Sequence, residues 1–211
     1  MEDYEAILNA IMAHLNPNDI PKDETIPVGI SNRHIHLSQA AVDKLFGSDY
    51  QLTKLKDLSQ PGQYACKECL TICGPRGVIE KVRILGPVRG ETQVEILQSD
   101  TFKLGIKGAL RLSGDLRNTP GLTLIGPNGS YEIQQGVIIA KRHIHMLPEE
   151  AERFGVTDGQ IVSIDFEGER GGSLNNVVIR ATANSGLECH IDTEEANALG
   201  VVPGTSIKIR K

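Results

Sequence analysis

From Ile26 onward, short runs of alternating apolar and polar residues dominate the chain: GVIEKVRIL, TQVEIL, GLTLIGPNGSYEI, GQIVSIDF, NVVIRATA and TSIKIRK. A period of two with many Val, Ile and Thr residues predicts strands that bury one face. Gly74-Pro75-Arg76-Gly77 and Gly126-Pro127-Asn128-Gly129 interrupt such runs and predict hairpin turns. Many short strands with few helices predict a mainly β protein made of small barrels. Residues 3 to 15 follow another rule, because Ile7, Leu8, Ile11, Met12 and Leu15 share one helical stripe and the Pro- and charge-rich NPNDIPKDETIP follows. That amphipathic helix is either a cap on its own domain or a docking segment for a partner.

The patterns also repeat. ISNRHIHLSQAAVDKLFG, from Ile30 to Gly47, matches IAKRHIHMLPEEAERFG, from Ile139 to Gly155, and HIDTEEANALGV from His190 is a fainter copy of HMLPEEAERFGV from His145. His36, His145 and His190 therefore share one slot, at the end of a strand and just before a helix. Ser38 is placed to cap the first helix, Pro148 suits the first turn of the second, and Gly47, Gly155 and Gly200 suit left-handed helix ends. Asp158-Gly159 and Pro203-Gly204 mark turns into the following strands. The architecture expected from the repeat is pseudo-symmetric β-barrels with short helices capping their ends.

Composition narrows the function. With 211 residues, 39% hydrophobic and 23% charged, the chain can bury one large core or two small ones. It has no apolar run long enough to cross a bilayer and no secretory start, which predicts an intracellular protein without a membrane partner. A net charge of −5 and 4% aromatic residues argue against nucleic acid as the main partner. Cys66, Cys69, Cys73 and Cys189 read as thiols. Cys66-x-x-Cys69 lacks the second half of a zinc knuckle and reads as structural.

The histidines carry the chemistry. In an extended segment residues i and i+2 face one side, so His34 with His36 and His143 with His145 each present two imidazoles together, while Ile35 and Ile144 point into packing. A single His-x-His is as often surface polarity as a ligand pair, but two copies in identical RHIH strings, with His190 in the repeated slot, point to metal. Five histidines exceed the three protein ligands of one catalytic zinc, so two ions are expected. A sixth ligand should be a carboxylate. Glu95 and Glu91 both lie on the face of ETQVEIL away from the core, and spacing does not choose between them. Arg33 and Arg142 point opposite to the histidines and read as structural, and His14 reads as a solvated side chain of the N-terminal helix.

IPVGISNRHIHLS, VRILGPVRGETQVEI, KLGIKGALRLSGDL and IIAKRHIHM, with the later His190, resemble the PduL-type phosphate acyltransferases, or phosphate propanoyltransferases. The resemblance runs from Ile26 to Lys211. It implies a dimeric enzyme with two β-barrels, interleaved in sequence, and two zinc ions per chain that reversibly transfers a propanoyl or acetyl group between coenzyme A and inorganic phosphate. It implies residues 26–32 plus 141–211 as one barrel and 33–140 as the other, with an insertion near 47–67. It implies His34, His36 and Glu95 as ligands of one metal, and His143, His145 and His190 as ligands of the other. Arg89 would bind phosphate. Ser31, Lys56, Arg83, Leu85 and Asn197 would line the coenzyme, and Phe102 would reach a neighbouring subunit's site. Members often carry an N-terminal amphipathic helix that directs them into bacterial microcompartments, as in propanediol degradation, and residues 3–15 look like such a segment. The implied location is the bacterial cytoplasm or a microcompartment within it.

Two other classes use similar residues. An amidohydrolase also opens on His-x-His, but its (β/α)8 barrel needs about 250 residues and an alternating strand and helix pattern. A zinc-stabilised shell or binding protein would close each metal with four ligands, whereas catalysis needs an open position.

Overall fold

The computed structural model describes residues 25–211, so the helical stripe at 3–15, its linker and His14 lie outside the described residues. In chain order the elements are β1 (Ile26–Ser31), β2 (His34–His36), α1 (Gln39–Phe46), β3 (Lys54–Asp57), β4 (Tyr64–Cys73), β5 (Val78–Gly86), β6 (Gln93–Glu95), α2 (Asp100–Leu104), β7 (Leu110–Arg111), β8 (Leu122–Gly126), β9 (Gly129–Ile133), β10 (Val137–Ala140), β11 (His143–Met146), α3 (Pro148–Phe154), β12 (Ile161–Phe166), β13 (Gly172–Ala181), β14 (Glu188–Asp192), α4 (Thr193–Leu199) and β15 (Ser206–Arg210). No helix among them is long and apolar enough to cross a membrane.

The strands form two units. β1, β14, β11, β13, β12 and β15 close into a six-stranded barrel. The others form a curled half-barrel in the order β7-β10-β6-β2-β5-β4-β8-β9, with β3 on β4. The second unit is thus an open sheet that curls without closing. Each unit has its own apolar cluster, one including Ile35, Leu45, Ile72, Ile84, Val94 and Leu124, the other Ile26, Ile144, Met146, Ile164, Ile179 and Ile207. Ile35 and Ile144, the residues between the paired histidines, are both fully buried there. Each such side chain contributes about 1.5–3 kcal/mol by leaving water, which anchors the flanking histidines on the opposite face.

The pairing explains the repeat. β2 runs parallel to β5 and antiparallel to β6, and β11 runs parallel to β13 and antiparallel to β14. β1 leads directly into β2 yet pairs with β14 in the barrel, whereas β10 leads directly into β11 yet pairs with β6 in the half-barrel. The chain therefore passes from one unit to the other immediately before each RHIH string, and both histidine pairs lie at the crossing.

Local chemistry follows the sequence closely. Ser38 caps α1 by accepting from Ala41 N, Pro148 opens α3, and Asp192 caps α4. Gly155 and Gly200 end their helices in the left-handed conformation. Gly47 differs, because at φ 108° and ψ 158° it turns the chain out of α1 in an extended form rather than in a left-handed cap. Both expected hairpins form, with Cys73 opposite Val78 and Gly126 opposite Gly129.

Candidate functional site

Two three-residue groups of potential metal ligands occur among the described residues: His34, His36 and Glu95, and His143, His145 and His190. Within each group one ligand atom per residue lies within 4.8 Å of the others. Strand register produces both. Glu95 stands directly opposite His34 across β2 and β6, and His190 directly opposite His143 across β11 and β14. Glu91 is exposed and joins neither group. Glu95 does point away from the apolar cluster, but into the cleft between the units, where it is 8% exposed.

The surroundings select the nitrogen each ring presents. His34 Nδ1 donates to the Asn32 carbonyl at 2.8 Å, and His143 Nδ1 donates to the Lys141 carbonyl at 2.8 Å. A carbonyl can only accept, so Nδ1 carries the proton and Nε2 keeps its lone pair. The Nε2 atoms of His143 and His145 lie 3.1 Å apart. Two nitrogens on one tetrahedral zinc, each at about 2.0–2.1 Å, lie roughly 3.3 Å apart, so the spacing fits a shared ion. His36 Nδ1 is buried with no hydrogen-bond partner, as is no other side-chain nitrogen or oxygen among the described residues.

Electrostatics hold His36, His143, His145 and Glu95 in ligand form, whereas Glu95 raises the neighbouring His34 against the effect of burial. Burial, reinforced by His34 and Arg89, pushes His36 down to about 3. Burial and His190 push His143 down to about 4, and burial with the neighbouring His143 and His190 pushes His145 down to about 3. These three rings are neutral at neutral pH, the form that binds metal. For Glu95, burial works against ionisation, but His34 beside it, at 3.4 Å from Oε1, wins and holds the carboxyl well below the usual range.

Each group is braced in the same manner. Arg33 Nε bonds Asp100 Oδ2 at 2.8 Å, and Arg142 Nε bonds Glu195 Oε1. Each arginine immediately precedes its His-x-His, and each acid follows the third ligand by five residues, so one ion pair ties the two ligand-bearing strands in each unit. Both arginines are committed to these pairs, and both also line the cavity that the ligand groups share.

The two groups open onto one cavity of about 650 Å³ between the units, lined by more Lys and Arg than Asp and Glu although the chain is acidic overall. Arg89 lies in its wall, where Nη1 donates to Ser113 Oγ at 3.0 Å and the backbone N–H donates to Leu37 O at 2.8 Å. Burial lowers its pKa from the ordinary guanidinium value, with Glu95 opposing and Arg180 adding to the shift. A model of the phosphate propanoyltransferase family matches residues 27–202. The chain is 48% identical to the phosphate propanoyltransferase of Rhodobacter capsulatus over 98% of both chains. It is 53% identical to that of Thermotoga maritima over 89% of this chain and 90% of that one, and 48% identical to that of Clostridioides difficile over 98% and 99%.

The chain belongs to the phosphate propanoyltransferase family.

Within this member of the phosphate propanoyltransferase family, Ser31, Lys56, Arg83 and Leu85 all line the cavity. Arg83 Nη1 is also committed to the carbonyls of Cys66 and Lys67 on β4. Phe102, 75% exposed on α2, and Asn197, exposed on α4, lie outside the cavity lining. All four cysteines are free, and burial pushes Cys66 up to about 11 and Cys189 up to about 12, so these two stay protonated and inert.

Sequence reasoning missed two groups in the cavity wall. Arg180 stands opposite His145 across β11 and β13, a placement that depends on a parallel pairing with no local signature. Glu188 lies two residues before His190, so the alternation that exposes His-x-His was equally readable in Glu188-Cys189-His190. Burial would raise Glu188, but its bonds with His190 and Ser59 prevail and hold it below the usual carboxylate range.

Proposed function

We propose that this chain transfers a short acyl group, propanoyl or acetyl, between coenzyme A and inorganic phosphate, and that two zinc ions serve the reaction. The observation that carries the reading is the opening of two three-ligand groups onto the same cavity that Arg89 and Arg180 line. His34, His36 and Glu95 would hold one ion, and His143, His145 and His190 the other. Three ligands each would leave an open position, as catalytic zinc requires and a closed structural site does not. Bound there, zinc would supply Lewis acidity toward the thioester carbonyl oxygen and the departing thiolate.

The protein's own groups account for the remainder. A phosphate oxygen attacks the thioester carbon, forming C–O, and the C–S bond breaks to release coenzyme A thiolate. Phosphate is already anionic and needs no general base, but it must be held beside a second anionic substrate. The planar guanidinium of Arg89, oriented by Ser113, suits a two-donor grip, with Arg180 as the second cation. Lys56 and Arg83 offer charge to the phosphates of the coenzyme, and Ser31 and Leu85 line its path. Phe102, exposed on α2, and Asn197 would reach coenzyme only in a homodimer, which is part of this proposal. So are the division into 26–32 plus 141–211 and 33–140, and delivery to a microcompartment through residues 3–15.

Phosphate-dependent release of free thiol from propionyl-CoA and acetyl-CoA tests the activity. Zinc-loaded protein that releases no thiol from either would overturn it, and activity untouched by exhaustive chelation would overturn the metal assignment alone.

A further inference from the structure

The two ligand groups share a device that neither the repeat nor the family motifs display. The third ligand of each group is accompanied, two residues earlier on the same strand face, by a polar side chain that hydrogen-bonds to it. In the half-barrel Gln93 Nε2 donates to Glu95 Oε1 at 2.7 Å. In the barrel Glu188 Oε2 accepts from His190 Nε2 at 2.5 Å. Gln93 stands opposite His36 and Glu188 opposite His145, so the two are equivalent by register as well as by spacing. Their chemistry is complementary to what each must orient. A ligand carboxylate accepts and is given an amide donor, whereas a ligand imidazole donates through its spare N–H and is given a carboxylate.

A serine holds each of them in turn. Gln93 Nε2 donates to Ser113 Oγ at 2.8 Å, and Ser59 Oγ donates to Glu188 Oε2. Ser59 belongs to the segment after β3, which reaches across from the half-barrel. The next residue, Gln60, clasps the barrel through both ends of its amide, donating to Gly186 O at 3.0 Å and accepting from Gly186 N at 3.2 Å. Room for the carboxylate is built in on the other side. Gly29 is the register partner of His190 on β1, and a Cβ there would lie 2.6 Å from Glu188 Cδ.

We infer that Glu188 is the positioning residue of His190, occupying Nε2 so that Nδ1 is presented to the metal, and that Ser59 ties this ligand to the segment on the coenzyme side of the cavity. Metal-binding imidazoles are commonly oriented by a carboxylate on the ring's other nitrogen, and removing it weakens metal binding by about 10–100-fold. This inference rests on the proposal that His143, His145 and His190 hold a metal ion.

The test is zinc affinity, measured by titrating wild type and variants against a chromophoric chelator, with the thermal midpoint of each metal-free variant as a check on folding. Wild type should hold two zinc ions and His190→Ala one, and failure of that result would overturn the metal proposal and this inference with it. Glu188→Ala should weaken one site by about 10–100-fold and leave the other unchanged. Gly29→Ala should weaken the same site while removing no charge, because it displaces Glu188. Ser59→Ala should lower affinity at that site by a smaller factor. Two intact sites in wild type together with wild-type affinity in both Glu188→Ala and Gly29→Ala would overturn the positioning role and spare the metal proposal. So would equal weakening of both sites, the mark of a general loss of packing.

Discussion

Asp100→Ala tests whether the ion pairs beside the ligand strands organise the site. Asp100 is buried, and its Oδ2 accepts from Arg33 Nε at 2.8 Å and from Leu97 N at 3.0 Å. The substitution removes both partners at once. Breaking a fully buried pair costs about 3–5 kcal/mol, but the Arg33 side chain is 30% exposed and water recovers part of that. The Leu97 N–H, left without its acceptor, adds about 1–3 kcal/mol. A net loss of about 2–4 kcal/mol follows, or about 5–15 °C in the thermal midpoint of a domain this size. The assay is thermal unfolding of the metal-free protein, followed by circular dichroism. The matched control is Asp115→Ala, whose pairs with Arg111 and Arg117 are longer, at 3.7 Å, and exposed. That control should lose no more than about 0.5 kcal/mol. Because the pair ties β2 to the segment after β6, Asp100→Ala should also release zinc sooner from the half-barrel group than from the barrel group. An Asp100→Ala midpoint equal to that of the control would refute the reasoning.

Arg89→Lys keeps the charge but loses the planar grip, so the KM for phosphate should rise and kcat fall, with kcat/KM down by roughly one to two orders of magnitude and zinc content unchanged; wild-type phosphate kinetics in Arg89→Ala would end that assignment. His145→Ala should lose one zinc together with activity, while His14→Ala should lose neither, as read by metal analysis and thiol release. Stability of the metal-free protein should be independent of His36, His143 and His145 above pH about 6.5 and fall as pH drops from there toward 3. The sign follows from their depressed values: over that window the unfolded chain binds protons that the folded rings refuse. His34, raised by Glu95 against the effect of burial, acts in the opposite sense and in a separate window: its contribution is complete below pH about 6.5 and is lost as pH rises above that, so it does not offset the slope set by the other three rings. A midpoint that rises on acidification through this window would contradict the assignment.

Much of this protein is determined by local sequence. Period-two alternation at RHIH is enough to put His34 with His36 and His143 with His145 on shared faces and to bury Ile35 and Ile144 behind them. Ser38, Pro148, Gly155 and Gly200 set helix ends through the dihedral and hydrogen-bond preferences of single residues, and the repeated strings disclose the duplicated plan. Gly47 shows the limit even here, since a positive φ can serve an extended turn as well as a left-handed cap. Glu95 and Glu91 have the same parity in the ETQVEIL string, but β6 begins only at Gln93, and its antiparallel register against β2 sets Glu95 opposite His34. Arg180 reaches the cavity through a parallel pairing, and Ser59 meets Glu188 across 129 residues of chain. The exchange of β1 and β10 between the units has no local trace, because each strand's alternation would satisfy either sheet. Local preference specifies what a segment is. Which segments meet depends on burying two apolar clusters at once, and the chemistry sits where those two solutions cross.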